Sequence, residues 1–132
     1  MFSFQKMKIY QLAKELAIYS YQLTEKYPQN ERYAIMNQIN RAAVSVPSNI
    51  AEGTSRRSNK EKLNFINIAY GSLMELVCQM EISYELKYIT KEENDTIIQK
   101  TKNLSVKMSN YKNYLEKIED NEKNLSFHHR YK

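Results

Sequence analysis

Residues 31–55, ERYAIMNQINRAAVSVPSNIAEGTS, place Met36, Ile39, Ala43, Val46, Ile50 and Gly53 at steps of alternating threes and fours. That is a heptad seam, the signature of a helix presenting one apolar stripe to other helices. Pro47 interrupts the stretch and removes one backbone hydrogen bond at a cost of about 3 kcal/mol or more. Because the seam keeps its phase on both sides, the reading is one kinked helix rather than two short ones. Gly53-Thr54-Ser55 before Arg56-Arg57 reads as its end, with glycine supplying a left-handed cap and the arginines facing the carbonyl terminus.

Working outward, the segment before it, Lys6 to Lys26, repeats the pattern with Ile9, Ala13, Leu16 and Leu23, widened by Tyr10 and Ala17. It stops at Tyr27-Pro28, and Asn30 is expected to cap the helix that follows. On the other side, Ser58-Asn59-Lys60-Glu61 forms a capping box that opens a third helix, running to about Tyr88. This helix carries two apolar stripes, Leu63, Ile66, Tyr70, Leu73, Val77 and Met80, then Phe65, Ala69, Ser72, Leu76 and Leu86. One bundle interior needs one stripe, so the second is assigned to another subunit. Gly71, in mid-helix, is expected to mark close packing. Thr90-Lys91-Glu92-Glu93 is a second capping box, and Ile97, Thr101, Leu104, Met108, Tyr111, Leu115 and Ile118 carry a fourth helix to about Asp120.

The fold class is therefore all-α, an antiparallel up-down-up-down four-helix bundle over residues 1–120 with a flexible C-terminal tail at 121–132. Composition agrees. With 2 Gly and 2 Pro in 132 residues, the chain is too poor in turn residues for a β-sandwich or a nucleotide-binding α/β sheet. One cysteine, Cys78, excludes an intrachain disulfide and a thiolate zinc site, and suits a reducing cytoplasm. No apolar run approaches the ~20 residues that span a bilayer, and the N-terminal residues are too polar for a signal segment.

No catalytic, metal or cofactor set emerges. His128 and His129 are adjacent in the tail, where neighbours on an extended chain point apart, and no Glu-x-x-His, phosphate loop or nucleophile elbow occurs. Cys78 reads as a packed thiol. Glu52, Glu75 and Glu81 are the carboxylates in apolar surroundings. The expectation is that Glu52 and Glu75 pair with Arg41 and neighbouring polar groups to fix helix register, with a catalytic pair as the remote alternative.

The net charge of +5 is modest, but its placement is informative. Arg56, Arg57, Lys60 and Lys62 cluster at one turn, where a helix start also offers N–H groups to phosphate. Lys100, Lys102, Lys107 and Lys112 run without an acidic residue between Thr96 and Leu115, with Lys100 and Lys107 seven apart on one face. Arg130 beside Tyr131 and Lys132 is the tail's candidate for contact with a polymer. Tyr10, Tyr27, Tyr70 and Tyr111 fall on stripes and read as core or interface residues.

The stretch RAAVSVPSNIAEGTSRRSNKEKLNFINIAYGSLMELVCQMEISYELKYI, residues 41–89, resembles the 23S ribosomal RNA intervening sequence family, also called S23, and the likeness extends over about residues 4–118. Val46-Pro47-Ser48-Asn49-Ile50-Ala51-Glu52-Gly53, Arg57-Ser58 and Gly71-Ser72-Leu73 carry it. The resemblance implies a ring-like homopentamer of four-helix bundles, often encoded in bacterial ribosomal RNA insertions, with a proposed RNA-binding role. A relative, the accessory variability determinant of diversity-generating retroelements, suggests an adaptor that docks a reverse transcriptase or other nucleic-acid enzyme. Arg41, Pro47, Asn49, Glu52, Gly53 and Arg57 match the family motif, and Ser72 and Glu75 join them as structural or interface residues. Two positions depart from the family: Leu86-Lys87-Tyr88 stands where Leu-Gly-Tyr is usual, and Tyr10 where a tryptophan is common. The function expected is non-catalytic binding of structured RNA, or of DNA, by a cytoplasmic homo-oligomer.

Overall fold

Four apolar stripes converge on one interior because short connections reverse the chain three times. In the computed structural model, which describes the backbone of residues 1–131 and the side chains of residues 1–125, the helices are α1 (Lys8–Thr24), α2 (Ile35–Thr54), α3 (Asn59–Glu85) and α4 (Lys91–Tyr131). Short 3-10 turns precede α1 at Ser3–Lys6 and α2 at Gln29–Glu31. No strand occurs among the described residues. α1 packs on α2 and α4, and α3 packs on α2 and α4, so the four helices form an up-down-up-down bundle with the core along its axis.

The seam of α2 is buried at Ile39, Ala43, Val46, Ile50 and Gly53, and α2 runs through the buried Pro47 as one helix. Ile9, Ala13, Leu16, Ala17 and Leu23 of α1 meet Ile97, Leu104 and Met108 of α4 in the same cluster. Each large aliphatic side chain so buried contributes roughly 1.5–3 kcal/mol.

Five local expectations change. Asn30 lies inside the 3-10 turn, and the residue that opens α2 is Ala34, without a side-chain cap. α2 does end at Thr54, as expected, but Gly53 is not left-handed and supplies no cap. Its space is taken by α3, because a Cβ there would stand 3.0 Å from the Phe65 Cβ. Gly71, expected to mark close packing, is exposed with no atom of the chain within 4 Å of a built Cβ. The buried face of α3, Ile66, Ala69, Leu73, Leu76 and Met80, draws on both predicted stripes, leaving Tyr70 and Leu86 exposed. A 27-residue helix drifts relative to a strict heptad, so neither stripe can stay inward for its whole length. Finally, α4 passes the boundary placed at Asp120 without a break and continues to Tyr131.

Both helix starts sit where the sequence puts them, but the reciprocal capping box closes only at Thr90 and Glu93; at Ser58 only the N-cap half forms. The Glu61 N–H donates to Ser58 Oγ at 3.1 Å. The Glu93 N–H donates to Thr90 Oγ1 at 3.1 Å, and the Thr90 N–H to Glu93 Oε1 at 2.9 Å. α3 closes on Lys87, whose φ of 65° is left-handed, while the Tyr88 N–H reaches the Ser83 carbonyl and the Lys87 N–H that of Tyr84, both at 2.9 Å. That is a Schellman cap with lysine in the glycine position.

Candidate nucleic-acid interface

Antiparallel neighbours decide which charges meet. The connection between α2 and α3 is only Ser55–Ser58, so Arg56 and Arg57 stand at the tip of a tight turn and Lys60 and Lys62 follow in the first turn of α3. Arg56, Arg57 and Lys60 are exposed and Lys62 is half-buried. None of the four pairs with a described carboxylate within 4.0 Å. Arg56 has a platform instead: its guanidinium carbon lies 4.6 Å from the centre of the Phe65 ring. Such stacking holds the planar cation while leaving its N–H groups free for an anion.

The lysines of α4 divide. Lys100 reaches toward α1, its Nζ 5.7 Å from the Tyr19 ring centre, and Lys107 continues that face two turns on. Lys112 lies on the other edge, lining a cleft of about 250 Å³ with Ile66 and Tyr70 of α3 and Met108 and Ser109. Lys100 and Lys107 therefore share one groove and Lys112 another, while Lys102 is exposed apart from both. The side chain of Arg130 lies outside the described residues, as do those of His128, His129 and Tyr131, and Lys132 is outside them altogether.

Part of the family-like motif also converges. Arg41 of α2 and Ser72 and Glu75 of α3 line one open cleft of about 350 Å³, together with Gln38, Ala42 and Ser45. Ser45 Oγ and Ser72 Oγ share a hydrogen bond of 2.8 Å across the helices, and Asn49 Nδ2 donates to the Ser45 carbonyl at 2.8 Å and to its hydroxyl at 3.0 Å. Glu75 accepts from Gln79 Nε2 at 3.1 Å. The expected pairing of Arg41 with Glu52 and Glu75 does not form. Glu52 is eleven residues, about 16 Å, along α2 from Arg41, and across the open cleft Glu75 is held by Gln79 of its own helix. Pro47 and Gly53 are buried packing residues, and Glu52 is exposed.

Sequence reasoning missed Ser45, Phe65 and Tyr19. Ser45 was within reach, since Arg41, Ser45 and Asn49 step by four and share a face. Phe65 and Tyr19 gave no such signal, because their roles are set by cations on other segments. Cys78, expected to be packed, is exposed. Among the described residues no group of three or more His, Cys, Asp or Glu is placed to hold a metal ion, and no helix is long and apolar enough to cross a membrane.

Comparison with known proteins gives a consistent picture. A family model described as 23S rRNA-intervening sequence protein matches residues 5–110. A solved structure from Bacteroides thetaiotaomicron VPI-5482, described as a protein with unknown function from the S23 ribosomal protein family, superposes with a TM-score of 0.74 at 21% identity, covering 80% of this chain and 95% of that one. At that identity the likeness speaks for the fold alone. No curated protein matches the chain.

Proposed function

We propose, from the premise that this chain belongs to the 23S rRNA-intervening sequence protein family, that it is a non-catalytic, nucleic-acid-binding four-helix bundle acting on structured RNA as a cytoplasmic homo-oligomer, a ring-like pentamer. The observation that carries the reading is the α2–α3 turn, where Arg56, Arg57, Lys60 and Lys62 lie within seven residues and meet no described carboxylate. Lys100 and Lys107 extend positive charge along the α1–α4 groove. A single +5 chain binds phosphate weakly, and repetition by symmetry turns several weak contacts into a strong one.

Support for assembly comes from the outward face of α3. Ile68, Met74 and Ile82 are exposed there at 52%, 41% and 45%, and Gly71 lies among them. Glycine inside a helix costs about 1 kcal/mol relative to alanine, and nothing within the chain needs its small size. A second copy approaching closely along this stripe gives it a reason. The same face supports the second reading, an adaptor that docks a reverse transcriptase or another nucleic-acid enzyme, and the two readings separate on oligomeric mass.

The test is a titration of the intact protein against RNA and DNA at two salt concentrations, with mass followed by light scattering. Salt-sensitive binding by an oligomer is expected. Binding that is absent at low salt overturns the nucleic-acid reading, and a monomer overturns the ring and favours the adaptor.

A further inference from the structure

α4 is much longer than the bundle it belongs to. Its 41 residues span about 60 Å, against about 25, 30 and 40 Å for α1, α2 and α3. Among the residues whose side chains are described, Leu115 is its last buried one and Ile118 its last half-buried apolar one. Beyond them α4 overhangs the end of the bundle formed by the start of α1, the α2–α3 turn and the start of α3. The family match ends at residue 110, before the overhang begins.

Its chemistry is opposite to that of the end it overhangs. Glu116, Glu119, Asp120 and Glu122 place four carboxylates in seven residues, while Arg56, Arg57, Lys60 and Lys62 place four cations in seven on the turn. The two clusters do not neutralise each other within the chain: the ion pair of the acidic segment among the described residues is Lys123 with Glu119, at 3.7 Å on the overhang itself. Leu125 follows Ile118 by seven residues, continuing the core-facing side of α4 where no core remains, and it is 61% exposed. Phe2, at the same end of the bundle, is 75% exposed.

Two complementary patches on the same end of one molecule satisfy the requirement of a two-fold interface, in which each patch meets its opposite on the other copy. We propose that two copies pair end to end, the outward face of the α4 overhang in each, with Glu116, Glu119 and Asp120 on the side opposite Ile118 and Leu125, lying against the basic α2–α3 turn of the other. This surface is separate from the outward face of α3. Pairing therefore doubles whatever assembly that face builds, and it covers the turn that would otherwise meet phosphate.

The experiment uses two full-length charge-reversed chains. In one, Glu116→Lys, Glu119→Lys, Asp120→Lys and Glu122→Lys make the overhang basic. In the other, Arg56→Glu, Arg57→Glu, Lys60→Glu and Lys62→Glu make the turn acidic. Each alone presents like charges at both contacts, and light scattering at low salt should give half the mass of the unaltered protein. Mixed, the basic overhang meets the acidic turn and the acidic overhang the basic turn, so the full mass should return. Unaltered mass in either variant, or a mixture that stays at half mass, overturns the proposal, and recovery in the mixture shows that both variants are folded. None of these readouts uses nucleic acid, so the result stands apart from the RNA-binding test.

Discussion

Gly53 of α2 and Phe65 of α3 pack so closely that a methyl group on the glycine would stand 3.0 Å from the Phe65 Cβ. The Phe65 Cβ is fixed to the α3 backbone and cannot rotate away, so Gly53→Ala must push the helices apart. Overpacking of this kind costs roughly 1–3 kcal/mol, while the gain in helix propensity returns only about 1. We expect Gly53→Ala to lower stability in urea unfolding and to weaken nucleic-acid binding, because Phe65 also carries Arg56. Gly71→Ala provides the contrast: with no neighbour within 4 Å, it should leave the isolated bundle up to about 1 kcal/mol more stable.

Lys87 holds a left-handed φ of 65° to complete the α3 cap. A residue with a Cβ pays roughly 1–2 kcal/mol in this region, and glycine does not. Lys87→Gly should therefore raise the urea midpoint by an amount equivalent to about 1 kcal/mol without changing the slope, despite glycine's greater freedom in the unfolded chain. A neutral or negative effect would mean that the lysine side chain has a compensating role.

Much of this architecture was legible. The four helices and the buried seams of α1, α2 and α4 follow from periodicity, and the starts of α3 and α4 from the capping residues Ser58 and Thr90. The two glycines were not legible. Both fit a helical pattern, and only the position of Phe65 on another helix tells a close approach at Gly53 from an open face at Gly71. The basic turn was visible because its cations are neighbours in sequence. The Arg41, Ser72 and Glu75 cleft was visible only as three separate motif positions, since the register of α2 against α3 brings them together. The overhang was hidden for a simpler reason: where the apolar repeat stops, periodicity no longer reports a helix.

Glu93 joins the start of α4 to the turn that follows α1. Its carboxylate accepts from the Thr90 N–H and from Lys26 Nζ, the latter at 2.9 Å. The Thr90 backbone hydrogen bond is the main cause holding the carboxyl below its ordinary value of 4.5; partial burial opposes it and Lys26 assists. A depressed carboxyl stabilises the fold fully above its unfolded value and loses that contribution as pH falls through the lower folded one. Lys26 is shifted upward from 10.5 by the same contact, so its share survives until pH rises through that raised value. Stability should decline as pH drops below about 4.5, and Glu93→Gln should flatten that part of the profile in thermal melts at a series of pH values.

The α2–α3 turn makes a quantitative claim on salt dependence. Each phosphate neutralised by a cation contributes about 0.9 to the slope of log K against log salt on duplex nucleic acid, and about 0.7 on single strands. If Arg56, Arg57, Lys60 and Lys62 each meet one phosphate, replacing all four with Gln should reduce the slope per bound protomer by roughly 3–4. The proposed assembly through the α3 face should be unaffected by that change. Replacing Lys100 and Lys107 should remove less, about 1–2, because both are half-buried and Lys100 is engaged with Tyr19. A slope unchanged by the turn variant, with binding retained, would move the interface away from this end of the bundle. It would leave the α1–α4 groove as the surface that meets the backbone.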